Sequence, residues 1–382
     1  MRSCSNSFVV STCLGEVKAF FFVNRFLIDI AGSFCQLRRP SLPYQITFTS
    51  AIGYTFDMRT VVGVLRGGPS SEYDVSLKTG ATVLRELDKD KYDVRDLFIS
   101  RDGDWHLHGV PVSPEKALFG VDVAWNAIHG EYGEDGRLHH VLDTLGVPYT
   151  GSGGMASKLA FNKQHTKDLL AKNGIKVAHG VVVEVPEGED AVERLAVELF
   201  RSMPHPAIVK PVIGGSSVGV SVADSFQALA EALQKASEVS SQVLVEELIR
   251  GKEATVGVID DFRGQKTYAL MPVEIIPPQN RFFDYEVKYN GETTERVPGN
   301  FSAAEKAELE RAAKLAHELM EAAHYSRSDF IVSRRGVYFL EINSAQAVGL
   351  TEESLLPRAL HAGGTKLSQF LDHIISLVRN KK

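Results

Sequence analysis

The stretch SDFIVSRRGVYFLEIN, residues 328–343, constrains this chain more than any other. Two runs of β-branched and aromatic residues flank Arg334-Arg335-Gly336, the pattern of a tight hairpin. A turn centred on Arg335 sets Asp329 opposite Glu341. Side chains alternate along a strand, so Glu341 and Asn343 share a face. Three oxygen-bearing side chains then converge beside Phe330, Val332, Tyr338, Leu340 and Ile342. Carboxylates packed together raise each other's pKa. A hard divalent cation relieves the repulsion, and Mg²⁺ takes a few carboxylates together with substrate phosphates. The hairpin alone leaves two readings open, a cation site and a solvated sheet edge.

The 382 residues favour two or three domains over one. Apolar residues at 44% and charged residues at 24% fit a soluble globular enzyme. A net charge of −6 with no long Lys/Arg block gives no footprint for nucleic acid. No uninterrupted apolar run reaches the roughly 18 residues of a membrane span. Cys4, Cys13 and Cys35 are the only cysteines, so neither a disulfide framework nor a Cys/His metal site is expected. A cysteine-free body fits a reducing cytoplasm.

Residues 1–57 are rich in Ser and Phe and poor in acids. They read as a leader or non-native extension without fixed structure, a transit peptide being the alternative. The body then begins at Met58. Strand TVVGVL, the break Gly67-Gly68-Pro69 and a helix with Leu77, Ala81, Leu84 and Leu87 on one stripe come first. With strands YDVRDLFIS and VDVAWNAI they imply a small parallel sheet under helices across 58–151. A unit over 152–248 opens with one helix, ASKLAFNKQHTKDLLAKNG, and continues with strands VAHGVVVEV, AIVKPV, GVSVA and VLVEEL. A last unit, 249–382, holds strand ATVGVID, a long helix from Ser302 to His324 and the hairpin. Ser302 and Glu305 form a capping box for that helix.

Several motifs could carry chemistry. Gly214-Gly215-Ser216-Ser217-Val218-Gly219 follows Lys210 between two strands. Glycines let backbone N–H groups crowd an anion, and a lysine adds charge for a phosphate. An ordinary hairpin turn would look the same, but Lys210 ends an apolar strand, where lysine is rarely buried without a partner. Glu246 and Glu253 flank a glycine turn and could meet a nucleotide or simply face solvent. His129 sits between strand and glycines in WNAIHGEYGEDG, at the strand end where parallel sheets bind ligands. The aromatic loop RFFDYEVKY, 281–289, could close as a lid or pack as an exposed strand. Arg327 shares a strand face with Asp329, as an ion pair or as a clamp on developing charge.

The order of these motifs is more specific than any one. GGPSSEYDVSLKTG, AIHGEYGEDG, PYTGSG, IVKPVIGGSSVG, VEE…GKEATV, FDYEVKY, RSDF, LEIN and GLTEESLLP resemble the D-alanine–D-alanine ligases across residues 58–382. The resemblance implies an α/β (α+β) ATP-grasp fold, with an N-terminal Rossmann-like parallel-sheet domain and two further α+β domains clasping ATP. It implies ATP-driven joining of two D-alanines through an acyl phosphate, for peptidoglycan precursor synthesis, with D-lactate or D-serine as alternative second substrates. A nucleotide-binding protein impaired in catalysis is the alternative of another class. Cytoplasmic location, a homodimer and no nucleic-acid or membrane partner also follow from it.

Carried over residue by residue, Asp329, Glu341 and Asn343 would hold two Mg²⁺ or Mn²⁺. Lys163, Lys210, Gly214, Gly215, Ser217, Glu246, Glu247 and Glu253 would contact ATP. Glu72 and His129 would hold the first D-alanine. Ser216 would tie the glycine-rich loop to Tyr289 and Glu72, and Lys288 would reach the transferring phosphate. Arg327 and the backbone N–H of Gly349 would face the oxyanion, and Ser354 and Leu355 the second carboxylate. Tyr289 resembles the D-alanine-using branch. Three features depart from the family pattern. Ser344–Gly349 is longer than the usual loop and lacks its proline. Phe283 stands for a lid tyrosine, and His139-His140 for small or amide residues.

Overall fold

The computed structural model describes residues 59–215, 218–277 and 293–380, together with the backbone of three strands farther upstream. The chain divides into two compact units, Met1–Met58 and Arg59–Lys382. In the first, Phe8–Cys13, Glu16–Val23 and Phe26–Ala31 pair antiparallel in a meander, within the segment expected to lack fixed structure.

Among the described residues, the second unit carries three sheets. In the first sheet Thr60–Gly67 pairs parallel with both Tyr92–Ile99 and Val123–Asn126. Short antiparallel strands Trp105–Leu107 and Val110–Pro111 extend it at one edge. Thr60–Gly67 and Val123–Asn126 are buried along most of their length, as strands covered on both faces must be. One cover is the helix Leu367–Asn380, whose Phe370, Leu371 and Ile374 share a core with Val62, Val64 and Trp125. The end of the chain thus returns to the sheet where the body begins.

The helix Tyr73–Glu86 buries the expected stripe only at its end, where Leu84 and Leu87 pack into the core with Val62 and Val64. Ala81 is exposed, and the buried positions are Ser76, Thr79, Gly80, Thr82 and Val83. Two of these polar residues serve neighbouring loops. Ser76 Oγ accepts from Gly67 N–H and donates to the Ala127 carbonyl, both at 2.8 Å. Thr79 Oγ1 lies 2.9 Å from His129 Nε2. A hydrophobic period cannot report a face chosen for hydrogen bonding.

The second sheet is antiparallel, in the order Ser221–Ala223, Ala207–Pro211, Gln242–Glu247, Gly180–Glu184. Alternation sends Ala207, Val209, Val243 and Val245 into a core with the helices Glu189–Ser202 and Phe226–Ser237. Lys210 and Glu246 therefore point the other way. The single helix expected over 156–174 is two, Gly154–Phe161 and Lys163–Lys172. They break at Asn162, whose side chain caps the second by accepting from His165 N–H at 2.9 Å. An isolated bridge from Asn162 to Ile213 fixes the break against the second sheet.

The third sheet runs Thr294–Arg296, Val273–Ile276, Lys252–Phe262, Tyr325–Ser333, Gly336–Ser344, with Gln265–Ala269 paired to Lys252–Phe262. The helix Ala303–Leu319 covers one face and begins with the expected capping box. It stops at Leu319 rather than His324, because Glu321 (φ 50°) and His324 (φ 68°) take left-handed conformations that end a helix.

The final hairpin reaches the expected pairing by another route. The turn holds two residues, with Ser333 opposite Gly336 (φ 117°). Continued without interruption, that register would face Asp329 with Leu340. A bulge at Leu340 shifts it, and Asp329 pairs with Glu341. Phe330, Val332, Val337, Phe339 and Ile342 enter the core. Leu340 and Glu341 both line the opposite, open face, the re-aiming that bulges perform beside active sites. Phe330 and Phe339 meet edge to face with centroids 5.7 Å apart. Phe330→Ala is expected to cost about 3–5 kcal/mol, read as a lower urea midpoint. An unchanged midpoint would show that this pair does not hold the hairpin down.

Candidate active site

One cleft of about 400 Å³ collects residues from the second and third sheets and from the helix and loops at the end of the first. Of the residues singled out above, Glu72, His129, Lys163, Lys210, Gly214, Gly215, Glu246, Glu247, Glu253, Arg327, Asp329, Glu341, Asn343, Gly349, Ser354 and Leu355 line it. Ser216, Ser217, Lys288 and Tyr289 lie outside the described residues, as does the expected lid 281–289.

At the centre is the Asp329 carboxylate. Arg327 grips it with two hydrogen bonds, Nε to Oδ1 at 3.0 Å and Nη2 to Oδ2 at 2.7 Å. Thr255 Oγ1 donates to Oδ1 at 2.5 Å and Asn343 Nδ2 to Oδ2 at 3.2 Å. Register dictates these partners, since Thr255 and Glu341 stand opposite Asp329 on the flanking strands and Asn343 opposite Arg327. Glu341 joins them on the same face. Two carboxylates and an amide oxygen make a hard donor set that fits Mg²⁺ or Mn²⁺. Nearby, burial and the Asp329 charge push the Glu253 carboxyl up to about 8.

A basic wall faces this hairpin. Lys210 Nζ lies 2.5 Å from Glu246, and Lys167 pairs with the other oxygen of the same buried carboxylate. One carboxylate cannot neutralise two buried ammonium groups. Burial, and then Lys210, lowers Lys167 to about 6; burial, and then Lys163, lowers Lys210 to about 8. Lys167 Nζ also donates to the Ala178 carbonyl at 3.3 Å. Lys163, at the first position after the break at Asn162, bonds the Gly214 carbonyl and so steadies the glycine-rich loop. The Glu247 carboxylate is committed elsewhere, to Arg335 at 2.8 Å and His179 N–H at 3.3 Å.

At the other end the cleft is acidic. Ligand atoms of Glu72, His129 and Glu134 all lie within 4.8 Å of one another. Glu134 is 6% exposed, and its Oε1 accepts from Gly130 N–H at 2.5 Å. Burial, and then the Glu72 carboxylate, raises its carboxyl well above the ordinary range. Such a group ionises readily only when a cation arrives. Gly215 brings the glycine-rich loop to this pocket, since a Cβ built there would lie 3.1 Å from Glu72 Oε1. Beyond the hairpin, Gly349 abuts Ser354 so closely that a Cβ would sit 2.7 Å from its Oγ. Ser354 is the N-cap of Leu355–Ala362 and bonds Thr351 Oγ1 at 2.8 Å.

Sequence reasoning missed Glu134, Lys167 and Thr255. Glu134 lies inside HGEYGEDG, and Lys167 stands four residues after Lys163 on the same helix face. Those were the available signals. Thr255 had none, because only strand pairing brings it to Asp329.

Residues 61–117 match the family model described as D-ala D-ala ligase N-terminus, and residues 169–376 match D-ala D-ala ligase C-terminus. The chain is 37% identical over 319 residues to a D-alanine–D-alanine ligase of Geobacter sulfurreducens, covering 83% of this chain and 93% of that protein. Among solved structures it resembles a D-alanine–D-alanine ligase from Bacillus anthracis complexed with ATP, at TM-score 0.67 and 27% identity over 84% of this chain and 98% of that one. It also resembles the VanG D-Ala:D-Ser ligase from Enterococcus faecalis, at TM-score 0.71 and 26% identity over 84% of this chain and all of that one.

The basic wall makes binding pH-dependent. A polyphosphate in the cleft favours the ammonium form of Lys210. Binding of a non-hydrolysable ATP analogue should therefore take up more protons as pH rises from about 7 through the Lys210 value of about 8. Calorimetry in buffers of different ionisation enthalpy measures the uptake, and Lys210→Arg, charged at every pH, should abolish it. Identical apparent enthalpies across buffers in the unaltered protein would contradict the assignment.

Proposed function

Because this chain belongs to the D-alanine–D-alanine ligase family, we propose that it joins two D-alanine molecules with cleavage of ATP to ADP and phosphate. One observation carries the reading. Arg327, Asp329, Glu341 and Asn343 share a cleft with the lysine-rich wall and with the acidic pocket of Glu72, His129 and Glu134. Phosphoryl transfer to a carboxylate needs charge neutralisation at one end and a handle for the acceptor at the other.

The acidic pocket takes the ammonium of the first D-alanine. Its arrival lets Glu134 ionise and leaves the substrate carboxylate free to face the phosphates. Lys163 and Lys210 hold the phosphates against the glycine-rich loop. Asp329, Glu341 and Asn343 would hold two Mg²⁺ or Mn²⁺, which when bound neutralise phosphate oxygens. The substrate carboxylate oxygen attacks the γ-phosphorus, the bond from that phosphorus to ADP breaks, and an acyl phosphate forms.

The neutral amine of the second D-alanine then attacks the acyl carbon. Arg327, already held rigid by Asp329, faces the developing oxyanion with the N–H of Gly349. The tetrahedral adduct collapses as its carbon–oxygen bond to phosphate breaks, and nitrogen loses its extra proton. Ser354 and Leu355, at the N-terminus of an eight-residue helix, receive the second carboxylate. The product would serve peptidoglycan precursor synthesis in the cytoplasm. Among the described residues no helix is long and apolar enough to cross a membrane. The likeness to a D-Ala:D-Ser ligase makes D-serine, with D-lactate, the comparison to run against D-alanine as second substrate.

D-alanine-dependent phosphate release with Mg²⁺ and ATP tests the reading, and its absence would refute it. Arg327→Ala should lower kcat by about two to three orders of magnitude. A variant rate within a factor of about two would remove Arg327 from the chemical step.

A further inference from the structure

We propose that Gln346 is a positioning residue for the second amino-acid subsite: its side chain, anchored on Ser157 and His139, fixes the backbone that leads to Gly349. The inference rests on the ligase reading and adds to it the residue that sets the oxyanion loop.

Gln346 sits in the 3₁₀ turn Ala345–Ala347 and is 1% exposed. Its Nε2 donates to Ser157 Oγ at 2.5 Å and lies 3.3 Å from His139 Nε2. His139 Nε2 is in turn 3.5 Å from Ser157 Oγ, so three buried polar side chains close a triangle. Burial lowers the His139 pKa, which keeps the ring neutral and able to accept from the amide. Gly151 (φ 98°) makes the room, because a Cβ there would meet Gln346 Oε1 at 2.8 Å. A buried amide is worth such accommodation only where its fixed position matters.

The position matters because the backbone just beyond Gln346 forms part of the cleft wall. Ala347 and Gly349 line the cleft, while Val348 between them is 1% exposed and its N–H bonds the Ala345 carbonyl at 3.2 Å. The tether from Gln346 to the oxyanion donor is therefore short and packed. At its other end, His139 belongs to the helix Arg137–Leu145, which begins three residues after Glu134 of the acidic pocket. The triangle thus joins the element behind the first-substrate pocket to the loop that serves the second. This loop lacks the proline of the family pattern, and a side-chain anchor supplies the backbone restraint that a proline ring would give.

The test separates the two half-reactions. With hydroxylamine replacing the second amino acid at a concentration where trapping is no longer rate-limiting, D-alanine hydroxamate formation reads acyl-phosphate formation. Gln346→Met keeps the volume and removes both hydrogen bonds. It should lower kcat/KM for dipeptide synthesis by about tenfold or more while hydroxamate formation stays within about twofold. Ser157→Ala should give the same split, and the double variant should be little worse than either single one. Parallel losses in both reactions, or no loss in either, would overturn the proposal. If Gln346→Met fails to fold, the Ser157→Ala split decides alone. An unaltered enzyme that releases no phosphate with D-alanine would instead sink the ligase reading itself.

Discussion

The structure depends on how one carboxylate is held. Asp329 sits on a strand of the six-stranded sheet, and strand register places the partners described for it. Thr255 reaches it from one neighbouring strand and Asn343 from the other, while Arg327 reaches it along its own strand. An ionised carboxylate in a partly enclosed cleft is costly unless its lone pairs are filled. Here its donors come from rigid strands rather than loops, which keeps the oxygens in place as ligands and substrates come and go. The Leu340 bulge belongs to the same arrangement. It lets one short segment place an apolar residue and a carboxylate side by side on the cleft face while its neighbours stay in the core.

Charge is graded along the cleft. Lysines crowd one wall, acids crowd the far pocket, and the hairpin lies between them. Each crowd is unfavourable by itself, since two lysines share one buried glutamate and two carboxylates lie together beside one histidine. Removing one member of a buried set leaves its partner uncompensated. A phosphate at one end and an ammonium at the other relieve both tensions at once. Ligand binding energy is thereby directed to the two groups that must meet, the γ-phosphorus and the acceptor carboxylate.

Much of this was legible from sequence, for identifiable reasons. The pairing of Asp329 with Glu341 follows from period-two alternation and a turn signal, although the two-residue turn and the bulge that produce it left no separate mark. The strand carrying Lys210 follows from the apolar run before it. The buried face of Tyr73–Glu86 was read only in part, at Leu84 and Leu87, because Ser76 and Thr79 are there to hydrogen-bond loops and periodicity reports only apolar faces. The break at Asn162 was missed because asparagine inside a helical pattern gives no warning that it will cap. Glu134 escaped because burial, not residue type, separates it from its acidic neighbours. His139 and the loop after Asn343 departed from the family pattern separately in sequence, and only in space do they meet, through Gln346.

The central claim is that oxygens of the last hairpin, and not the acidic pocket, bind the divalent ions that accompany ATP. Anomalous diffraction from crystals grown with Mn²⁺ and a non-hydrolysable ATP analogue tests it directly. The account predicts manganese peaks bonded to Asp329, Glu341 and Asn343. Peaks held instead by Glu72, His129 and Glu134, with none at the hairpin, would contradict it.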